Sequence, residues 1–238
     1  MEIIQQAKKK ASIQAVNENI SETTQILGIG SGSTIVYAVQ ELAKLYHSNK
    51  TKIKTFIPSS YQSLQLIIEH KFPLGTLNEH SELDLTFDGC DEIDTNLNCI
   101  KGGGACHFQE KLLINNSKKV VLICDYTKES SLLCTKYKRG IPIEVLPLSL
   151  LCVLKNIQLI KGFIGSKLRM SRDKAGPVIT DNGMFCVDVD FGECSDPLKL
   201  HLDLINITGV VETGIFCDVV DKVYFGLADG SVKILESK

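Results

Sequence analysis

No stretch of this sequence approaches the roughly 18 consecutive apolar residues that a membrane-spanning helix needs. Its longest apolar runs, Val120 to Cys124 and Leu146 to Leu154, suit a buried strand and a short helix. An excess of positive charge is also missing. The 26 Lys and Arg stand against 28 Asp and Glu, a formal net charge of -2, so there is no basic footprint for nucleic acid. None of the nine cysteines pairs in a C-x-x-C knuckle, which excludes a structural zinc site of that kind. An odd number of cysteines without a framework reads as thiols in a reducing compartment. The sequence begins Met-Glu without an apolar signal segment and has no Arg before Arg139, so a cytoplasmic protein is expected. Repeats and low-complexity segments are absent too.

The 238 residues are 44% hydrophobic and 23% charged, the composition of an ordinary globular chain. Such a length makes one large domain or two small ones and buries roughly 70–75% of the unfolded surface without staples. Residues 2 to 20 have helical spacing in Ile3, Ala7, Ala11, Ile13 and Val16. Strand-like runs at 24 to 30, Lys52 to Ile57 (stopped by Pro58), Leu83 to Phe87 and Val120 to Cys124 alternate with helical runs at 34 to 47, Ser63 to His70 and His107 to Asn115. That alternation predicts an α/β fold with a doubly wound, mostly parallel, Rossmann-like sheet. After about residue 135 the rhythm changes. A helix at Leu148 to Asn156, a hairpin signal at Asn182-Gly183 and a helix at Leu198 to Ile205 predict a smaller inserted α+β domain. The expected division is 1–135 plus 218–238 for the catalytic domain and 136–217 for a lid or dimerisation domain. Lys222 to Leu227 and Ser231 to Leu235 read as a closing hairpin around Asp229-Gly230.

Chemistry-bearing residues gather where parallel strands end. Gly28-Ile29-Gly30-Ser31-Gly32-Ser33-Thr34 joins a strand to a helix, and glycines followed by a helix N-terminus favour an anion such as phosphate. A dinucleotide is disfavoured, because Ser33 replaces the third glycine and no carboxylate ends the next strand at Ser59-Ser60. A P-loop is excluded for want of Gly-Lys-Ser/Thr. The third strand runs into Asp88-Gly89-Cys90-Asp91-Glu92-Ile93-Asp94, whose crowded carboxylates are expected to have some pKa values raised toward neutrality. Its spacing does not fit a Ca²⁺ loop. Lys101-Gly102-Gly103-Gly104 precedes a helix bearing Glu110-Lys111, and Lys128 follows the fourth strand. Glycines at this density suit backbone amides that approach a ligand, and Lys101 suits an oxyanion. Together these describe a metal-free, cofactor-free pocket for a small phosphorylated molecule with carbonyl or hydroxyl chemistry.

At these motifs the sequence resembles the A-type ribose-5-phosphate isomerases, on their eukaryotic branch. The resemblance runs through Gly28 to Thr34, Asp88 to Ile93 (with Cys90 where Ala is usual), Lys101 to Ala105 and Glu110-Lys111. It continues at Lys128, Ile143 to Val145, Lys174 to Val178, Thr180 to Gly183 and Gly209 to Gly214. It implies interconversion of D-ribose 5-phosphate and D-ribulose 5-phosphate through an enediolate, in the non-oxidative pentose phosphate pathway. By matching positions it implies Glu110 as the base at carbon and Asp88 for ring opening and proton movement at oxygen. Lys101 with the amides of Gly102 to Gly104 would stabilise the enediolate, and Asp91 would hold sugar hydroxyls or orient the others. Ser31, Gly32, Ser33, Thr34, Gly89, Cys90 and Lys128 would line the substrate, Cys90 by packing. Whether the first loop or Lys128 holds the phosphate stays open. The resemblance further implies a homodimer or a pair of dimers. The rival reading is a sugar-phosphate-binding regulatory module on the same fold. That module would keep the anion loop without needing Glu110, Asp88 and Lys101 together.

Overall fold

The structure, a computed structural model, describes residues 2–237. In chain order its elements are α1 (Glu2–Asn19), β1 (Ile26–Ile29), α2 (Ser33–His47), β2 (Thr55–Pro58), α3 (Tyr61–Glu69), β3 (Leu85–Asp88), β4 (Glu92–Ile93), β5 (Cys99–Ile100), α4 (His107–Asn115) and β6 (Val120–Asp125). There follow β7 (Ile141–Val145), α5 (Leu150–Ile157), β8 (Gly165–Leu168), β9 (Phe185–Asp190), α6 (Pro197–Ile205), β10 (Val210–Thr213), β11 (Ile215–Phe216), β12 (Lys222–Gly226) and β13 (Val232–Glu236). Two compact units result. One takes the chain up to Cys90, Gln109–Glu129 and everything from Val219; the other takes Asp91–Phe108 and Ser130–Asp218.

The first unit is a six-stranded sheet in the order β13-β12-β6-β3-β1-β2, parallel except for β13. All six residues of β6 are buried, as an apolar run at the middle of a covered parallel sheet requires. The strand order reverses between β1 and β3, and such a switch point opens a crevice at the carboxyl ends of the strands. Pro58 does not stop β2 but closes it. β2 is the edge strand, where a missing amide donor is tolerated. The α1 stripe is narrower than its spacing suggests: Ile3 is exposed, while Ala7, Ala11, Ala15 and Val16 are buried. These small residues allow a close approach. A Cβ on Gly226 of β12 would collide with the backbone of Ala7.

The second unit holds an antiparallel sheet in the order β10-β7-β9-β8 and a small sheet in the order β11-β5-β4. Its core joins Ile141, Ile143, Val145, Val187 and Val189 to Val153 and Ile157 of α5 and Leu200 and Leu204 of α6. The compact units depart from the linear division at 91–108, which groups with this unit because β4 and β5 pair with β11. The Asn182-Gly183 turn forms, with Thr180 N–H donating to Met184 O at 2.9 Å and Gly183 at φ +76°. Its first arm, however, meets β9 only at the bridge Ile179–Phe185 and bridges Met170 at Pro177, and β8 takes the antiparallel place beside β9. Pro177, without an amide donor, sits in the arm that was expected to pair.

Candidate active site

In the first unit the switch point is built around Asp88. The end of β3 places this buried carboxylate beside the loop after β1. Asp88 Oδ1 accepts the amide of Ser31 at 3.1 Å and that of Gly89 at 2.7 Å, so one oxygen ties both loops together. A Cβ at Gly30 would strike the Asp88 carboxylate, which explains the glycine there. Ser31 Oγ lies 3.0 Å from Ser59 Oγ and donates to Ser60 Oγ at 2.7 Å, bringing in the serines that follow β2. Gly32, at φ +101°, precedes α2 without a side-chain cap, and its amide donates to Gln62. The N-terminus of α2 is thus left to a ligand or water.

Ser33 and Thr34 open α2. Lys8, on α1, donates to Ser33 Oγ at 3.0 Å and lies 3.8 Å from Asp125 Oδ2. Asp125 in turn caps the turn Tyr126–Lys128 through the Thr127 amide. Lys128 is half-buried on that turn and makes no ion pair among the described residues. Sequence reasoning missed Lys8. It stands in a run of three lysines on a helix, and nothing in the spacing separates it from a solvated face. Cys90 packs against Cys124, their sulfurs 3.2 Å apart.

The acidic turn resolves into different jobs. Glu92 is buried and accepts the consecutive amides of Cys134, Thr135, Lys136 and Tyr137 at 2.8 to 3.2 Å. Burial pushes its pKa up, but these amides and the hydroxyls of Ser130 and Thr135 outweigh burial and hold it below the usual carboxylate value. The crowding expected to raise pKa values therefore does not govern Glu92, because hydrogen bonds to the charged form dominate. Asp94 accepts the amides of Asn96 and Asn98 and closes its own turn. Glu92 and Asp94 are thereby committed to structure.

In the second unit Asp91 holds the triple glycine, its Oδ2 accepting the Gly103 amide at 2.6 Å. One of the three loop amides expected to face an oxyanion is thus already used. Lys101 is 2% exposed, donates its amide to Gly214 O at 2.8 Å, and sets its ammonium 5.7 Å from the Phe216 ring centre. Gly214 has no room for a side chain: a Cβ would meet Lys101 O. Gly102, at φ +99°, would press a Cβ against the His107 ring at 2.6 Å. Arg169 donates to the Gly102 and Gly103 carbonyls and pairs with Asp188. It too escaped the sequence reading, since it lies in an irregular stretch after β8. Glu110, which belongs to the first unit, is 5% exposed in the first turn of α4.

A family model described as ribose 5-phosphate isomerase A (phosphoriboisomerase A) matches residues 55–230. A ribose-5-phosphate isomerase of Debaryomyces hansenii is 45% identical over 233 residues, covering 97% of this chain and 91% of its own. Among solved structures, a D-ribose-5-phosphate isomerase in complex with phospho-erythronic acid superposes with a TM-score of 0.91 at 35% identity, over 98% of this chain and 99% of that one. The ribose 5-phosphate isomerase A of Methanocaldococcus jannaschii gives 0.88 at 36%, over 97% and 98%.

Proposed function

This chain belongs to the ribose 5-phosphate isomerase A family, and from that premise we propose how its residues carry the reaction. The chain is an aldose–ketose isomerase interconverting D-ribose 5-phosphate and D-ribulose 5-phosphate. Glu110 takes the C2 proton of the open-chain aldose and returns it to C1. The hydroxyl proton of O2 passes to O1, so atoms balance without a redox partner. Lys101 and the loop amides not spent on Asp91 oppose the charge that develops on the enediolate. Asp88, fixed in orientation by the amides of Ser31 and Gly89, serves ring opening and proton movement at oxygen. Asp91, fixed by the Gly103 amide, holds sugar hydroxyls.

The observation that carries this reading is Asp88, buried at the switch point and tied to both loops. The phosphate is assigned to the uncapped start of α2, with Ser33, Thr34 and Lys8 around it and Lys128 as a second cation. The phospho-erythronic acid bound to one relative is a phosphorylated carboxylate, an anion resembling the enediolate in charge, and it supports this reading. Incubation with ribose 5-phosphate in D₂O, with and without chelator, tests the reading. Product deuterated at C1, unchanged by chelator, supports it; absence of turnover supports a sensor.

The chain is further assigned to homodimers, joined through the second unit. Leu148, Leu151 and Leu159, on and beside α5, are 93%, 79% and 78% exposed. Apolar side chains so exposed and so close in sequence support that reading, since such patches suit association with another copy. No helix among the described residues is long and apolar enough to cross a membrane.

A further inference from the structure

We propose that Arg169 is a positioning residue for the isomerisation. With Asp188 it fixes the Lys101-Gly102-Gly103-Gly104 loop so that the Gly104 amide faces the enediolate oxygen. The proposal rests on the reading above, in which this loop stabilises the enediolate. Arg169 is 7% exposed and divides its guanidinium between two tasks. Nε donates to Asp188 Oδ2 at 3.0 Å and Nη2 donates to Oδ1, a two-point fork that holds the group in one plane. Nη1 donates to Gly102 O at 2.8 Å and to Gly103 O at 3.2 Å.

A trans peptide points its carbonyl and the following amide in opposite directions, and no peptide here is cis among the described residues. Holding Gly102 O therefore aims the Gly103 amide away from Arg169, and that amide meets Asp91 Oδ2 at 2.6 Å. Holding Gly103 O aims the Gly104 amide away in the same manner. Gly104 is exposed, and a Cβ there would meet nothing within 4 Å, so the loop is open to a ligand at this residue. Three consecutive glycines have almost no conformational preference of their own, and an outside group must set their peptide planes. A buried cation on the carbonyl side also polarises each peptide and strengthens its N–H as a donor. A salt bridge serving stability alone would need only Asp188; the Nη1 bonds to two successive carbonyls are what link Arg169 to the reaction.

The test compares Arg169→Met, Arg169→Lys and Asp188→Asn with the parent. The measurements are kcat and KM for ribose 5-phosphate, calorimetric Kd for that substrate and for phospho-erythronate, and a thermal melt. Arg169→Met is expected to lower kcat by about 10- to 100-fold with KM held within about threefold, since a loose loop costs transition-state contacts most. Phospho-erythronate should lose more affinity than ribose 5-phosphate. Arg169→Lys, which keeps the charge but loses the fork, should recover only part of kcat, and Asp188→Asn should fall between parent and Arg169→Met. A raised KM with unchanged kcat, or equal loss of both ligands, overturns the proposal. Should Arg169→Met fail to fold, Arg169→Lys and Asp188→Asn decide by the same criteria. Lys101→Ala separates the two levels. Equal loss of both ligands in Lys101→Ala removes the oxyanion reading and this proposal with it. Selective loss of phospho-erythronate in Lys101→Ala but not in the Arg169 variants removes only the role of Arg169.

Discussion

Four carboxylates within seven residues, Asp88, Asp91, Glu92 and Asp94, differ in what they do because different donors reach them. Glu92 is met by four successive amides and stays ionised inside the protein. Its folded pKa lies below the unfolded one, so its stabilisation is present above about pH 4.5 and is lost as pH falls through the folded value. Glu92→Gln should cost about 1–3 kcal/mol near neutral pH. Urea unfolding of parent and variant should converge as pH falls from the unfolded pKa through the lower folded one; a gap independent of pH would count against the charge. Glu110→Gln keeps shape and removes the proposed base. Turnover should fall by roughly 10²- to 10⁴-fold with little change in calorimetric substrate affinity. Lys128→Ala should raise KM more than it lowers kcat, because a charge on the phosphate acts in ground and transition states alike. An unchanged KM would make Lys128 a solvated surface residue.

Helix α1 shows how an element far from the chemistry in sequence serves it through packing. Its Ala7 lies against Gly226 of β12 so tightly that no side chain fits between. The next residue, Lys8, thereby reaches Ser33 at the start of α2. Gly226→Ala should push α1 outward, costing about 1–3 kcal/mol in unfolding free energy. It should also raise KM by carrying Lys8 away from the phosphate, an effect readable in steady-state kinetics at a temperature where the variant is fully folded. A destabilised variant with parental KM would show that Lys8 does not bind substrate. The triple glycine illustrates the reverse dependence, in which a segment without preference takes its shape from Asp91 and Arg169.

Across the whole molecule, the second unit leaves large apolar side chains on and beside α5 uncovered. The proposed dimer predicts that the double substitution Leu148→Glu, Leu151→Glu shifts sedimentation velocity toward monomer, with each unit keeping its fold because neither residue lies in the core. An unchanged sedimentation coefficient would place the interface elsewhere.

Much was determined by the sequence alone. Alternating periodicity declared the parallel sheet, and α2, α4, β6 and the closing hairpin fall close to their expected limits. The reason is local: helical spacing, Gly-rich turns and short apolar runs act over a few residues and need no tertiary context. The loop after β1 and the Asp88 turn were legible for the same reason, since they follow neighbouring parallel strands of the first unit. Tertiary structure alone decided which carboxylates are structural, because the four amides on Glu92 come from residues more than 40 positions away. It alone chose Lys8 from three adjacent lysines, since helix rotation against β12 selects one face. It also grouped 91–108 with the second unit, because two-residue strands carry no periodicity and acquire identity only when β11 pairs with them. Arg169 belongs with these: its two carbonyl partners lie 66 and 67 residues before it, and no local pattern reports an interaction across that distance.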